Sequence, residues 1–189
     1  MPHATVQQTM TPADEHEIVR RAAAGDEDAF RMLMDRHRPR ALALALRITR
    51  SRADAEDVVQ QAFVRAWHAL DRFRFDSAFG TWLHRIVARR ALDRASRLQL
   101  FRAREDELDD VETSIIEPHR DVILIRRLEQ LLRRLTAAQR AVVTLHYWDE
   151  ATVSEIATTL GMPENTVKTH LSRARGALRE AWLAMEGSR

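Results

Sequence analysis

Apolar residues return at helical spacing along almost the whole chain. In DAEDVVQQAFVRAWHAL, Val58, Ala62, Phe63, Ala66, Trp67 and Leu70 form one stripe, leaving Asp57, Gln60, Gln61, Arg65 and His68 on the other face. A second pattern, TWLHRIVARRALDRASR, turns Leu83, Ile86, Val87 and Leu92 inward. Its outer side carries Arg85, Arg89, Arg90, Arg94 and Arg97 against the single acid Asp93. Between the two lies DRFRFDSAFG, three phenylalanines set among charges. Upstream, Thr11-Pro12 reads as an N-cap followed by proline at the first helical position. That helix carries Ile18, Val19, Ala22 and Ala23 until Gly25 stops it, and Asp26 caps the next, with Phe30, Leu33 and Met34 inside. Pro39 predicts a kink or break, after which Ala41–Arg50 resumes as an apolar core helix, and Ser51–Ala53 is a turn. No run alternates with period two, so no sheet is expected.

Composition shifts after this block. EDELDDVE, Glu105–Glu112, packs six acids into eight residues, a run that self-repels and reads as a disordered tether or interaction segment. The expected organisation is therefore all-α, two small helical domains joined by an acidic flexible linker. A disordered tail spans 1–13, the first domain 14–98, the linker 99–119 and the second domain 120–186. In the second domain VILIRRLEQLLRRL gives a helix, and Thr136-Ala-Ala-Gln139 and Thr152-Val-Ser-Glu155 are capping boxes opening two more. A short helix holding Ile156, Ala157 and Leu160 ends at Gly161, and Pro163 opens a long last helix with Val167, Leu171, Ala174 and Leu178 inward. This is the pattern of a helix-turn-helix. Its second helix exposes Asn165, Thr166, Lys168, Thr169, Ser172, Arg173 and Arg175, side chains suited to base edges and phosphates in a major groove.

Charge sharpens this picture. Thirty basic residues face twenty-eight acidic ones, yet the isoelectric point is near 9.8, and Lys168 is the only lysine. Arginine's planar fork suits phosphate and guanine. An aromatic loop feeding an arginine-lined helix likewise suits unstacked bases and phosphates, although the same pattern also describes ordinary core phenylalanines and a solvated basic face. Other chemistry finds little support. No cysteine is present, which excludes a disulfide or thiolate metal site, and the eight histidines form no i, i+4 pair. No phosphate loop or nucleophile elbow appears, and the carboxylates of Glu105–Glu112 lie in a floppy run, so neither a metal, a cofactor nor an enzyme is expected. The four tryptophans read as core, with Trp82 excepted, and the histidines as surface or half-buried residues. No signal peptide or membrane-spanning run is visible, which predicts a cytoplasmic protein without membrane insertion.

DAEDVVQQAFVRAW, followed by FRFDSAFGTWLHRI and ALD, resembles the second conserved region of bacterial sigma factors of the small, extracytoplasmic-function type. The likeness extends upstream through GDEDAFRMLMDRHRPRALALALRIT, and TVKTHLSRARGALRE resembles the recognition helix of the fourth sigma region. The resemblance implies transcription initiation with core RNA polymerase and promoter DNA as partners, and commonly an anti-sigma factor as inhibitor. It implies that Asp57, Gln60, Gln61 and Arg65 dock on polymerase. Phe75, Asp76, Phe79, Trp82, Arg85, Arg89 and Arg90 would open and read the minus-ten element, and the last helix the minus-thirty-five element. It further implies that the linker threads a polymerase channel, its acids mimicking nucleic-acid charge. Gln61 stands where the family often has glutamate, and Arg89 where asparagine is usual, so the minus-ten preference does not carry over. The alternative is a helix-turn-helix regulator of duplex DNA that is no polymerase subunit; it leaves the first domain unexplained. A helical adaptor without nucleic acid would leave both basic faces idle.

Overall fold

The computed structural model describes residues 12–105 and 131–186, and every regular element among them is helical. The helices are α1 (Pro12–Ala23), α2 (Glu27–Thr49), α3 (Arg52–Ala69), α4 (Phe79–Glu105), α5 (Ala137–Tyr147), α6 (Val153–Leu160) and α7 (Glu164–Glu186), with a 3₁₀ turn at Leu70–Arg72. The acidic run beyond Glu105, the tail before Pro12 and most of the expected helix before Leu131 lie outside the described residues.

Local chemistry sets the boundaries. Gly25 ends α1 at a φ of +96°, a conformation open to glycine without cost. Asp26 then accepts from the Ala29 N–H at 3.0 Å and caps α2. Helix α2 runs through Pro39 to Thr49 without the expected break. Pro39 sits on the exposed side, where the backbone acceptor freed by the missing N–H faces water, while Leu33, His37, Ala41, Leu44, Ala45 and Ile48 keep the inner face continuous. Arg50 ends the helix in the left-handed region, its N–H bonded to Leu46 O at 2.8 Å. Ser51 caps α3 by accepting from Asp54 N at 3.2 Å.

Helices α2, α3 and α4 pack on one another with α1 against α2. Asp54, on the buried side of α3, is clamped by Arg94 of α4, whose Nε and terminal nitrogen reach Oδ1 at 2.7 and 2.6 Å. Helix α4 continues seven residues past Leu98, where the sequence places the linker's start, so the first stretch of that linker is helical. Expectations for single residues also shift. His37 is buried, its ring stacked edge-on against Phe79 and its Nε2 3.4 Å from a Glu15 carboxylate oxygen. Trp148 and Trp182, read as core, are exposed; Trp148 lies under the Arg47 guanidinium, 5.1 Å from its ring centre.

The two helical domains also pack against each other. Helix α5 packs on α2 and α4, α6 packs on α4, and the buried residues form one continuous apolar cluster. Arg140 of α5 is buried at the joint, donating to Ile48 O of α2 at 2.9 Å and to Leu135 O at 2.5 Å. Ile48 lies at the C-terminus of α2 and Leu135 just beyond the helical residues 131–133, where orphan carbonyls and the dipole favour a cation. Burial, with Arg50 nearby, pushes the Arg140 guanidinium down to about 10, still protonated at neutral pH. Gln99 adds a second tie, its Oε1 accepting from Ala137 N at the start of α5.

Candidate nucleic-acid interface

The loop between the 3₁₀ turn and α4 is built from aromatic rings. Phe73 stacks against Phe75, Phe79 and Trp82 at 4.9, 6.2 and 5.1 Å, and Phe79 meets Trp82 at 5.7 Å. The rings divide by depth. Phe79, expected on the DNA-facing surface, is 1% exposed and forms the floor; its neighbour Gly80 lets the chain pass so close that a Cβ would sit 3.1 Å from the His37 ring. Phe75 is held out at the surface with φ +59°, a conformation costly for a bulky residue. Its ring rests against His16 and beneath the Arg20 guanidinium, 5.7 Å from its centre. Asp76 is exposed beside it, and Trp82 is half-buried.

Along α4 the arginines line a groove shared with α3. Trp82, Ile86, Arg89 and Arg90 face Arg65 and His68 across an open cleft of about 600 Å³. Arg65, grouped from sequence with the polymerase-docking residues, therefore stands beside the α4 arginines. Asp57, Gln60 and Gln61 are exposed on α3, as their spacing predicts. Sequence reasoning missed what borders them: an apolar groove of about 610 Å³ between α2 and α3, walled by Phe30, Met34, Phe63, Val64 and Trp67. The available signal was Val64, an apolar residue interrupting the polar face and about half exposed.

The helix-turn-helix forms as its sequence predicts. Both capping boxes are closed; Thr152 N donates to Glu155 Oε2 at 2.9 Å and Glu155 N donates to Thr152 Oγ1 at 3.3 Å. These bonds, the backbone one first, hold the Glu155 carboxyl below its ordinary range. Gly161 turns the chain at φ +65°, and Ile156, Ala157, Leu160, Val167, Leu171 and Ala174 close the wedge. On the outer face of α7, Asn165, Lys168, Thr169, Ser172, Arg173 and Arg175 are exposed and Thr166 is half-buried. Thr169 donates to Asn165 O at 2.8 Å, and Arg175 Nε donates to the Tyr147 hydroxyl at 3.0 Å, which fixes its guanidinium. Among the described residues no group of histidines and carboxylates could hold a metal, and no helix is long and apolar enough to cross a membrane.

Residues 33–101 match the family model of sigma-70 region 2, and residues 125–178 that of sigma-70 region 4. The chain is 35% identical over 175 residues to the RNA polymerase sigma factor NccH of Alcaligenes xylosoxydans, covering 88% of this chain and 94% of that one. It is 34% identical to the ECF RNA polymerase sigma-E factor of Escherichia coli K12, covering 85% and 90%. Among solved structures, CnrH in complex with the cytosolic domain of CnrY aligns with a TM-score of 0.59 at 31% identity, covering 90% of this chain and 97% of that one. The sigma factor RpoE of Bartonella quintana, in complex with the anti-sigma factor NepR, shares the fold with a TM-score of 0.65 at 23% identity, over 81% and 96%.

Proposed function

The chain belongs to the extracytoplasmic-function sigma factors, which direct transcription initiation, and from that premise we propose which of its surfaces does which part of the work. The first domain, 14–98, docks on core RNA polymerase and opens the minus-ten element; the second, 120–186, reads the minus-thirty-five element; the segment 99–119 joins them. Docking uses Asp57, Gln60 and Gln61 together with the apolar groove beside them, because a polar face alone supplies little desolvated contact area. Phe75 and Asp76 meet an unstacked base, Phe79 supports them from below, and Trp82, Arg85, Arg89 and Arg90 follow the strand. Arg65 sides with this strand-facing set. Asn165, Thr166, Lys168, Thr169, Ser172, Arg173 and Arg175 enter the major groove. The chain acts in the cytoplasm and carries no catalytic group; phosphodiester chemistry belongs to the polymerase.

The observation that carries this reading is Phe75, held at the surface by a left-handed backbone above a packed aromatic floor. Strain of that kind persists where the surroundings over-determine it, and an exposed ring suits base stacking. An anti-sigma factor completes the partner set, since CnrH and the Bartonella factor are each described in complex with a protein of that kind or with a named cytosolic domain. The deciding experiment is run-off transcription with purified core polymerase on promoter DNA. A promoter-dependent product is expected, with permanganate-reactive thymines in the opened region whose reactivity falls with Phe75→Ala. Tight duplex binding without polymerase association or product would overturn the reading.

A further inference from the structure

The outer face of α7 is braced from a second helix. Tyr147 is the last residue of α5, which packs against α7, and it is about half exposed. Its hydroxyl accepts from Arg175 Nε at 3.0 Å. The phenol ring is steadied by His146, edge-on at 4.8 Å, and His146 Nδ1 lies 3.1 Å from Ala151 O beyond the following turn. Two other contacts on this face, Thr169 Oγ1 to Asn165 O and Lys168 to Glu164, stay within α7, whereas Arg175 is tied to a different helix. At 3.6 residues per turn the exposed side chains form an arc. Arg175 stands at one edge, Lys168, Ser172, Asn165 and Thr169 follow, and Arg173 stands near the other. Arg175 also lies ten residues after Asn165, roughly 15 Å along the axis, while a major groove is roughly 12 Å wide. A helix that inserts its first turns between the strands leaves Arg175 at the sugar–phosphate rim, away from the bases.

We propose that Tyr147 and Arg175 together form a phosphate clamp on the upstream element, which makes Tyr147 a DNA-contacting residue outside the recognition helix. The proposal rests on the reading of the α7 face as the minus-thirty-five surface. With Nε–H engaged by the phenol, Arg175 keeps the N–H groups of its two terminal nitrogens for an anion. The phenol oxygen is the acceptor in that bond, so its own O–H points elsewhere and can donate to a second oxygen of the same phosphate. Tyrosine suits the position because it is neutral. It holds Arg175 in place without cancelling its charge, and it removes part of the rotamer freedom that an unbraced arginine loses on binding. A carboxylate there would hold the guanidinium more tightly and neutralise it. A backbone contact of this kind fixes register and carries no sequence information, which leaves the reading of bases to the other edge of the arc, where Arg173 stands.

Tyr147→Phe removes the hydroxyl and keeps the ring against His146, so the fold is retained, which circular dichroism of the full chain checks. The probe is a fluorescein-labelled promoter duplex selected from a random pool by unmodified holoenzyme, and binding by holoenzyme is read by anisotropy across a range of salt concentrations. Tyr147→Phe should weaken binding roughly threefold to tenfold, the worth of one hydrogen bond, while a fresh selection returns the same upstream bases. Arg175→Ala should reduce the salt slope by about 1, and adding Tyr147→Phe to it should cost little more. Tyr147→Glu keeps a tether but cancels the cation, so it should reduce the slope by about 1 as well, a loss that a purely structural tether does not predict. Replacing one upstream phosphate at a time with a neutral methylphosphonate should find a position that weakens unmodified holoenzyme and leaves Arg175→Ala holoenzyme unaffected. Unchanged affinity in Tyr147→Phe, an altered base preference, or a Tyr147→Glu variant that binds like the unmodified chain overturns the proposal. Arg173→Ala and Lys168→Ala judge the underlying reading separately. If they too leave upstream binding unchanged, the assignment of α7 has failed; if they act and Tyr147→Phe does not, only the clamp has.

Discussion

The arginine face of α4 and the outer face of α7 look alike in sequence, each a helix with basic and polar residues on one side, but the structure supports them differently. Helix α7 stands on a small apolar wedge with closed capping boxes and a glycine turn, and its outer face is open. Helix α4 begins on an aromatic floor, follows a loop with a strained Phe75, and lies partly beneath α6. Duplex DNA presents ordered edges to a rigid helix, so a preformed exposed face suffices. An unstacked strand must be captured in a shaped site that offers rings as well as cations. Within one chain, similar residues serve opposite demands because their supports differ.

The largest expected effect breaks the comparison at α4. Reversing both charges with Arg85→Glu and Arg89→Glu should lower promoter opening by holoenzyme by about two orders of magnitude, measured by permanganate reactivity, as two phosphate-facing cations become anions. Binding of duplex upstream element should be unaffected. If opening persists, the α4 face is a solvated surface and the two helices are not functionally distinct.

Phe75 separates function from stability in one residue. Phe75→Ala removes the ring and should reduce opening by roughly 1–3 kcal/mol, the scale of one base–aromatic stack. Phe75→Gly loses the same ring yet relieves the left-handed backbone, so it should melt at a higher temperature than Phe75→Ala while opening promoters no better. Equal melting temperatures would show that the loop stores no strain.

How much of this was legible in the sequence follows the same division. The helix-turn-helix could be read almost residue by residue, because caps, glycine turn and wedge are local signals: Thr152, Glu155, Gly161 and Val167 behave as their spacing says. The α3 stripe and its polar face were legible for the same reason. What escaped depends on contacts distant in sequence. Pro39 did not break α2 because tertiary packing keeps the inner face continuous. Phe79 went to the floor and Phe75 to the surface, although both are phenylalanines in one loop, because His37, forty-two residues upstream, packs against the first. Arg140 carries no marker of burial; only the docking of α5 on the end of α2 gives it one. The joint between domains was invisible because the acidic segment between them suggests independence.

On the α7 side the effects are smaller and easier to read. Arg173→Ala should cost about 1–3 kcal/mol of upstream-element binding and relax discrimination at one position, if its guanidinium reads a base edge. Lys168→Ala should instead weaken binding evenly across sequences and reduce the salt slope by about 1. Neither should change association with core polymerase, measured by co-elution. Loss of polymerase binding in Arg173→Ala would show that the outer face of α7 is shared between the two partners.

The smallest effect asks whether the two regions unfold together. His37, beneath the aromatic loop, has its pKa lowered by burial first, with Arg36 and His84 acting in the same direction and Glu15 opposing them. His170, on α7, is lowered by burial and then by Arg173. In each case the unfolded chain binds a proton more readily than the folded one. Their contribution is therefore fully present above the unfolded pKa of about 6.5 and is lost as pH falls from there toward the folded values. Unfolding by urea between about pH 7.5 and 5.5, a window that ordinary carboxylates barely enter, should show stability falling with pH. His37→Gln should remove part of that slope and His170→Gln a further part. If the domains form one cooperative unit through Arg140 and the shared core, both substitutions act on a single transition. If the joint opens first, two transitions appear, with His37 setting the slope of one and His170 that of the other; Asp149→Arg, which loosens the joint by setting a cation against His84, should convert the first behaviour into the second.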